Sequence, residues 1–431
     1  MSAGVCIMNK NGIALAADSA LTVRGRGPQR IYNNGNKLFS VSKYQPIGAI
    51  EYNNAQFMGI PFEVIIKQFR IYIGNRKFET IEKCVSCFKD FLVKEPMLSQ
   101  LAKYEKYFVE RVAQDFIAGA GVDFNKLYGE AVEKNGSELK PEDLQSLLEQ
   151  TVSISEQYVN ALPELGTDID ISYIKNNYAE KIYEIIDNSF NFDLKTISND
   201  IRLRLFNASI KIFEKRFDRA GYCGVLFAGY GEELLLPSAC HFYIYGIING
   251  VLISQPIEEI NVTNEKSCAI IPLAQVDVMR IFITGLSDNI LDAISKSIYS
   301  SIGEVIEKSC DEIQKKEIVR KCITSIKEKM ALEFTQPVLS TVSAVPVQEL
   351  TQFAEMLVSL TSMRRHVEDN MNLDTVGGPI DVSVITKSDG FIWINRKHYF
   401  DKELNPQYMF THYNYGDKIV EKTKEEGDDE I

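Results

Sequence analysis

Three side chains near the start of the 431-residue chain have the types and spacing for nucleophilic chemistry: Ser2, Asp18 and Lys37. Ser2 follows the initiator Met1, and a small second residue favours removal of that methionine. The mature chain would then carry a hydroxyl and a free α-amine on adjacent atoms. An α-amine titrates near ~8, so it serves as a general base close to neutral pH. A hydroxyl nucleophile needs such a base, and an N-terminal amine is one that proteins use. A buried lysine nearby would lower the hydroxyl's pKa by its charge, and an aspartate would hold that lysine. Asp18 and Lys37 are the candidates for these two roles.

Other chemistries find less support. Cys84-Val85-Ser86-Cys87 is a lone CxxC, with no second pair to complete a zinc site. On a helix its two thiols share a face, and core packing accounts for them. The four histidines, His241, His366, His398 and His412, show no ligand spacing, so no metal is expected. No phosphate-binding Gly-x-x-x-x-Gly-Lys-Ser/Thr occurs, and Gly229-Tyr230-Gly231 reads as a turn, so no cofactor is expected. No Gly-x-Ser-x-Gly elbow points to an ordinary serine hydrolase.

Composition narrows the classes further. Hydrophobic residues make up 45% and charged residues 25%, enough apolar material for a large core. The length suggests two or three domains. A net charge of −12 argues against a general nucleic-acid or anionic-membrane surface. No run of eighteen apolar residues and no basic-then-apolar leader occurs, so neither a membrane span nor a signal peptide is expected. The eight cysteines lack framework spacing, which suggests a reducing, cytoplasmic setting.

The elements that must position the three residues begin at once. Residues 5–8 and 13–17 are apolar runs flanking the turn Asn9-Lys10-Asn11-Gly12, a hairpin signal. Both runs are apolar on both faces, so the sheet they enter is covered on both sides. The first strand starts almost at the chain start, which places the terminus at the sheet's edge. Residues 37–41 and 47–50 read as further strands. Phe57, Ile60, Phe62, Ile65, Ile66, Phe69 and Ile73 then recur at mostly three- and four-residue steps and predict a helix.

Helical periodicity continues through Phe78, Ile81, Val85, Phe88 and Leu92, then Tyr104, Phe108, Val112 and Phe116. Pro141 marks a helix start, and further helices follow to Leu205. Strands resume at Gly221, with a turn at Asn249-Gly250. Ser287-Asp288 caps a helix, a second helix carries Ile318, Ile323 and Ile326, and Pro346 opens another. Residues 380–386 and 391–394 flank an Asp389-Gly390 hairpin turn, and 411–431 is a charged tail.

The first fifty residues resemble proteasome core β-subunits and the peptidase subunit of the bacterial two-component ATP-dependent protease. Ser2 falls where that family has its N-terminal nucleophile. Asp18, within Ala16-Ala17-Asp18-Ser19, falls on the family's aspartate, and Lys37, within Lys37-Leu38-Phe39, on its lysine. Serine replaces the family's threonine, and the segment between Asp18 and Lys37 is a few residues longer. The turn after the fourth strand reads Gly48-Ala49-Ile50-Glu51-Tyr52-Asn53-Asn54, and the family's oxyanion donor is a backbone N–H near it. Asp374 and Thr375, before Gly377-Gly378, are nearest to the pair that supports the amine in the family. The family's Gly-Ser-Gly is not found; it would fall near Ala274-Gln275.

The resemblance implies an α+β fold, a four-layer αββα sandwich, interrupted by an α-helical subdomain. The corresponding division is 1–75 and 206–410 for the sandwich, 76–205 for the insertion and 411–431 for the tail. It also implies an N-terminal-nucleophile hydrolase of amide bonds, with peptide or protein as substrate, self-association into an oligomer, and any ATPase on a separate chain. The alternative is an inactive proteasome-like scaffold or protein-interaction module.

Overall fold

Strand β1 (Ala3–Asn9) turns through Lys10 and Asn11 into β2 (Gly12–Ala17), with Asn9 opposite Gly12. The turn is fixed locally, because the Asn9 side-chain oxygen accepts from the N–H groups of Asn11 and Gly12. The computed structural model describes residues 2–23, 30–94, 102–135, 139–190, 198–216, 221–305, 312–368, 377–397 and 403–406. After the hairpin come the short strands β3 (Leu21–Val23), β4 (Arg30–Tyr32) and β5 (Leu38–Ser40), then β6 (Ile47–Asn53). A two-residue-strand hairpin, β7 (Gln56–Phe57) and β8 (Ile60–Pro61), delays the first helix, α1 (Phe62–Ile73), until Phe62. The periodicity that began at Phe57 therefore overran its helix, because Phe57 and Ile60 are buried or half-buried from the hairpin instead.

Helices follow in series: α2 (Ile81–Lys94), α3 (Ala102–Asn135), α4 (Pro141–Ala161), α5 (Ile171–Ser189) and α6 (Asn199–Lys211). Asp170 and Ser198 cap α5 and α6 by accepting from backbone N–H groups of the first turn. Strands return as β9 (Cys223–Gly229), β10 (Ser238–Ile248), β11 (Val251–Asn261) and β12 (Cys268–Ala274). Then come α7 (Val276–Thr284), α8 (Asp288–Val305), α9 (Glu312–Met330), α10 (Gln336–Ala344) and α11 (Val347–Glu368). The hairpin of β13 (Asp381–Thr386) and β14 (Gly390–Asn395) ends the described strands.

These strands make two antiparallel five-stranded sheets, in the orders β12-β1-β2-β13-β14 and β11-β10-β9-β6-β5. The fold is thus a mixed α/β, α+β arrangement. Alternate side chains of each strand enter different cores. Cys6, Met8, Ile13, Leu15 and Ile271 of the first sheet pack with Leu38, Ile50, Leu226 and Ala228 of the second. The other face of the first sheet, with Val5, Ile7, Ala14 and Ala16, packs on Leu350, Ala354, Leu357 and Val358 of α11. The far face of the second sheet, with Ala49, Val225 and Phe227, packs on α1 and α2 through Phe62, Phe69 and Phe88. This double burial is why β1 and β2 are apolar at every position.

Two sequence expectations shift. Strand β1 is internal, flanked by β12 and β2, so the chain start sits at the end of an internal strand and not at a sheet edge. Helix α2 falls within 76–205 but packs on the second sheet beside α1, and Cys84 is part of that core. A separate helical core is built from α3, α4, α5 and α6, through Val109, Ile117, Leu148, Ile182 and Leu205, and it extends to Phe213. Among the described residues no helix is long and apolar enough to cross a membrane.

Candidate functional site

Ser2 lies at the entry to β1, 8% exposed, and Asp18 at the exit of β2. The hairpin register, with Gly4 opposite Ala17, brings these ends together although they are sixteen positions apart in the chain. The Asp18 N–H donates to the Ala3 carbonyl at 2.9 Å, and the Ala3 N–H returns to Asp18 Oδ1 at 2.9 Å. Asp18 therefore grips the peptide that joins Ser2 to Ala3.

Lys37 comes from outside this sheet, one residue ahead of β5. Its ammonium lies 2.5 Å from Asp18 Oδ1, and the two residues are only 3% and 1% exposed. Asp18 Oδ2 accepts from Ala20 N at 3.3 Å and Gly377 N at 3.2 Å. Four donors thus converge on one buried carboxylate, an arrangement that satisfies the ionised form. A buried ion pair is costly unless such extra hydrogen bonds complete it.

The chain start is tied on its other flank by β12. Ala3 stands opposite Ala274, and Gln275 N donates to the Ser2 carbonyl at 3.1 Å. Ala274 adopts φ +64°, a left-handed backbone that alanine rarely takes. Backbone held in this way clusters at functional sites. The segment at Ala274 and Gln275 thus meets the chain at Ser2 and Ala3.

Asp374 and Thr375 lie outside the described residues. The loop that follows them reaches the centre, because Gly377 donates to Asp18 and its carbonyl accepts from Ser19 N at 3.1 Å. The Ser19 hydroxyl donates to the Pro379 carbonyl. Ser2, Asp18 and Lys37 are thus brought to one place.

Two further buried carboxyls lie on the strands beside this centre, and sequence reasoning missed both. Glu51, in the middle of β6, is 2% exposed, and its Oε2 has no hydrogen-bond partner among the described residues. Burial pushes its carboxyl up from the ordinary 4.5 to about 8, with the Asp18 charge adding to the rise and the Lys37 charge opposing it. Its N–H donates to the Lys37 carbonyl at 2.8 Å, so that donor is already engaged. Residues 48–53, expected from sequence as a turn, are part of strand β6, paired along its length with β9. The signal was visible: a lone glutamate in the otherwise apolar run Ile47-Gly48-Ala49-Ile50-Glu51-Tyr52. Asp381 is the second, opposite Ala17 in the sheet and salt-bridged to Lys397.

On the other side of β6 the Tyr52 ring is buried among Tyr222, Tyr243 and His241, and its hydroxyl lies 2.7 Å from His241 Nε2. Among the described residues no group of three His, Cys, Asp or Glu side chains is placed to hold a metal ion. Cys87 is half-exposed beside the Arg76 guanidinium at 3.3 Å, while Cys84 is buried.

Comparison of the chain with known protein families and with curated proteins returns no match.

Proposed function

We propose that the chain is an N-terminal-nucleophile amide hydrolase, with Ser2 as nucleophile once Met1 is removed. The observation that carries this reading is the buried Asp18, which holds both Lys37 and the peptide N–H directly after Ser2. A hairpin, the end of an internal strand and a lysine just ahead of an edge strand converge there, and a purely structural terminus has no need of that convergence. The two sheets with helices packed outside each support reading the architecture as the four-layer αββα sandwich of proteasome-like proteins. Helices α3 to α6 are then the inserted subdomain.

In the proposed reaction the Ser2 hydroxyl oxygen attacks an amide carbonyl carbon while the α-amine takes the hydroxyl proton. The Lys37 ammonium stabilises the developing negative charge at Oγ, and Asp18 fixes Lys37. Collapse of the tetrahedral intermediate breaks the C–N bond, and the proton passes from the α-amine to the leaving nitrogen. Water then hydrolyses the acyl ester and restores the hydroxyl. Peptide bonds are the substrate class implied by the resemblance. Self-association, a cytoplasmic setting and reliance on a separate ATPase chain belong to the same proposal.

Intact mass before and after a peptide epoxyketone tests it, since that reagent needs a hydroxyl and a free adjacent amine. The expected result is a chain lacking Met1 that gains one adduct, and a Ser2→Ala chain that gains none. Retention of Met1 would overturn the mechanism and favour a non-catalytic scaffold or interaction module.

A further inference from the structure

The ladder of the second sheet sets Leu38 opposite Ile50, so the next step sets Lys37 opposite Glu51. The bond from Glu51 N to the Lys37 carbonyl fixes that step. Directly opposed residues of an antiparallel pair share a face, with Cβ atoms about 4.5–5.5 Å apart. A second carboxyl therefore stands beside the lysine that Asp18 holds. The charges that act on it are those of Lys37 and Asp18, and on α1 the Arg70 guanidinium donates to the Ser40 carbonyl of β5. The Cys223 thiol of β9 donates to the Asn54 and Gln56 carbonyls, and burial, followed by Glu51 itself, keeps that thiol protonated. Helix α1 turns Phe62, Ile65, Ile66 and Phe69 to its core, and its Glu63 is engaged by Asn36 and Lys67.

We propose that Glu51 is a proton switch of this centre, acting on Ser2 through the charge balance at Lys37. The inference rests on the reading of Ser2 as nucleophile. With Glu51 neutral, one ammonium faces one carboxylate and the trio carries no net charge. The Lys37 charge, offset by Asp18 alone, then lowers the hydroxyl's pKa. When Glu51 loses its proton to solvent, two carboxylates share one ammonium and the trio carries a net −1. The field at Ser2 then opposes loss of the hydroxyl proton, and the nucleophile is switched off. Glu51 is a positioning residue in this scheme and does not touch substrate.

The test is the rate of Ser2 adduct formation with a peptide epoxyketone between pH 6 and 10, in the wild type and in Glu51→Gln. The wild-type rate is expected to rise as the α-amine deprotonates and then to fall above pH ~8, a bell whose alkaline limb belongs to Glu51. Glu51→Gln keeps a neutral isostere and is expected to lose the falling limb, leaving it about tenfold faster relative to the wild type at pH 9 than at pH 7. An identical falling limb in both proteins overturns the switch and leaves the Ser2 reading standing. Absence of any adduct in the wild type at every pH overturns both. Infrared spectroscopy of the wild type covers the case in which the variant does not fold. A buried carboxylic-acid C=O band at pH 7 that vanishes in step with the falling rate supports the switch. No such band at pH 7 overturns it.

Discussion

At the scale of single residues, the two buried carboxyls of the centre should respond to mutation in opposite ways. Asp18 receives four donors, so it is built for charge. Asp18→Asn would turn an NH2 group toward donors and leave the Lys37 ammonium buried without its counter-ion. Removing one partner of a buried pair costs about 3–5 kcal/mol, and that loss is expected in urea denaturation. Adding Lys37→Met should recover part of it, because the uncompensated charge is then gone. Glu51 is built for neutrality. Its carboxyl rises from 4.5 to about 8 in the folded chain. Below 4.5 both folded and unfolded chains hold the proton, and the residue's contribution to stability is fully present. Between 4.5 and 8 only the folded chain holds it, so stability falls by up to about 1.4 kcal/mol per pH unit, and the loss is complete above 8. Glu51→Gln removes this slope. Denaturation at pH 5, 7 and 9 should show the variant gaining on the wild type at each step, and parallel curves would place the Glu51 carboxyl in the ordinary range.

At the scale of elements, what was legible in the sequence was what is local. Asn11-Gly12 and Asp389-Gly390 each announced a hairpin that forms, with Gly390 at φ +83°. Ser287 caps α8 through its hydroxyl, and Pro346 opens α11. Strand order was not legible, because β1 pairs with β12 some 260 residues away and no turn residue encodes such a partner. Periodicity also could not assign α2 to a core, since its apolar face would suit either the sheet or the helices. The site divides in the same way. Ser2, Asp18 and Lys37 were legible because a hairpin and one further strand fix them, whereas Glu51 matters only through the cross-strand partner that the register supplies.

One packing relation at this scale is equally non-local. A Cβ on Gly224 of β9 would lie 2.2 Å from the Tyr52 ring, which is itself enclosed by Tyr222, Tyr243 and His241. Only glycine lets that ring lie against β9. Gly224→Ala is expected to cost about 1–3 kcal/mol through forced displacement of the ring. In a Tyr52→Ala background the same change should cost far less, and a double-mutant cycle on denaturation energies measures the difference.

At the scale of the molecule, the helical core of α3 to α6 is joined to the second sheet by shared side chains and not by a linker alone. Tyr245, Ile248 and Ile253 of the β10–β11 hairpin belong to its core. Phe108 of α3 lies so close over Gly246 that an added Cβ would meet the ring at 2.7 Å. Glu105 of the same helix accepts from the Tyr178 hydroxyl of α5 at 2.8 Å and from Asn249 N, in the hairpin turn, at 3.1 Å. One carboxylate thus ties two helices to the sheet. A seam of this kind makes the two regions open together, because separating them exposes the Phe108 ring and strips Glu105 of a partner. Native-state hydrogen exchange should therefore give similar opening energies for the α3 amides around Phe108 and for the β10 amides between Ile244 and Ile248. Phe108→Ala is expected to lower both sets together, by about 3–5 kcal/mol if the site does not collapse. A drop confined to α3, with β10 unchanged, would mean that the helices open alone and that the seam does not couple them. The distinction matters for the proposed chemistry, since β10 is bonded to β9 and β9 to β6, the strand that carries Glu51. A ligand bound to the helices would then reach the centre through one continuous sheet only if the seam holds.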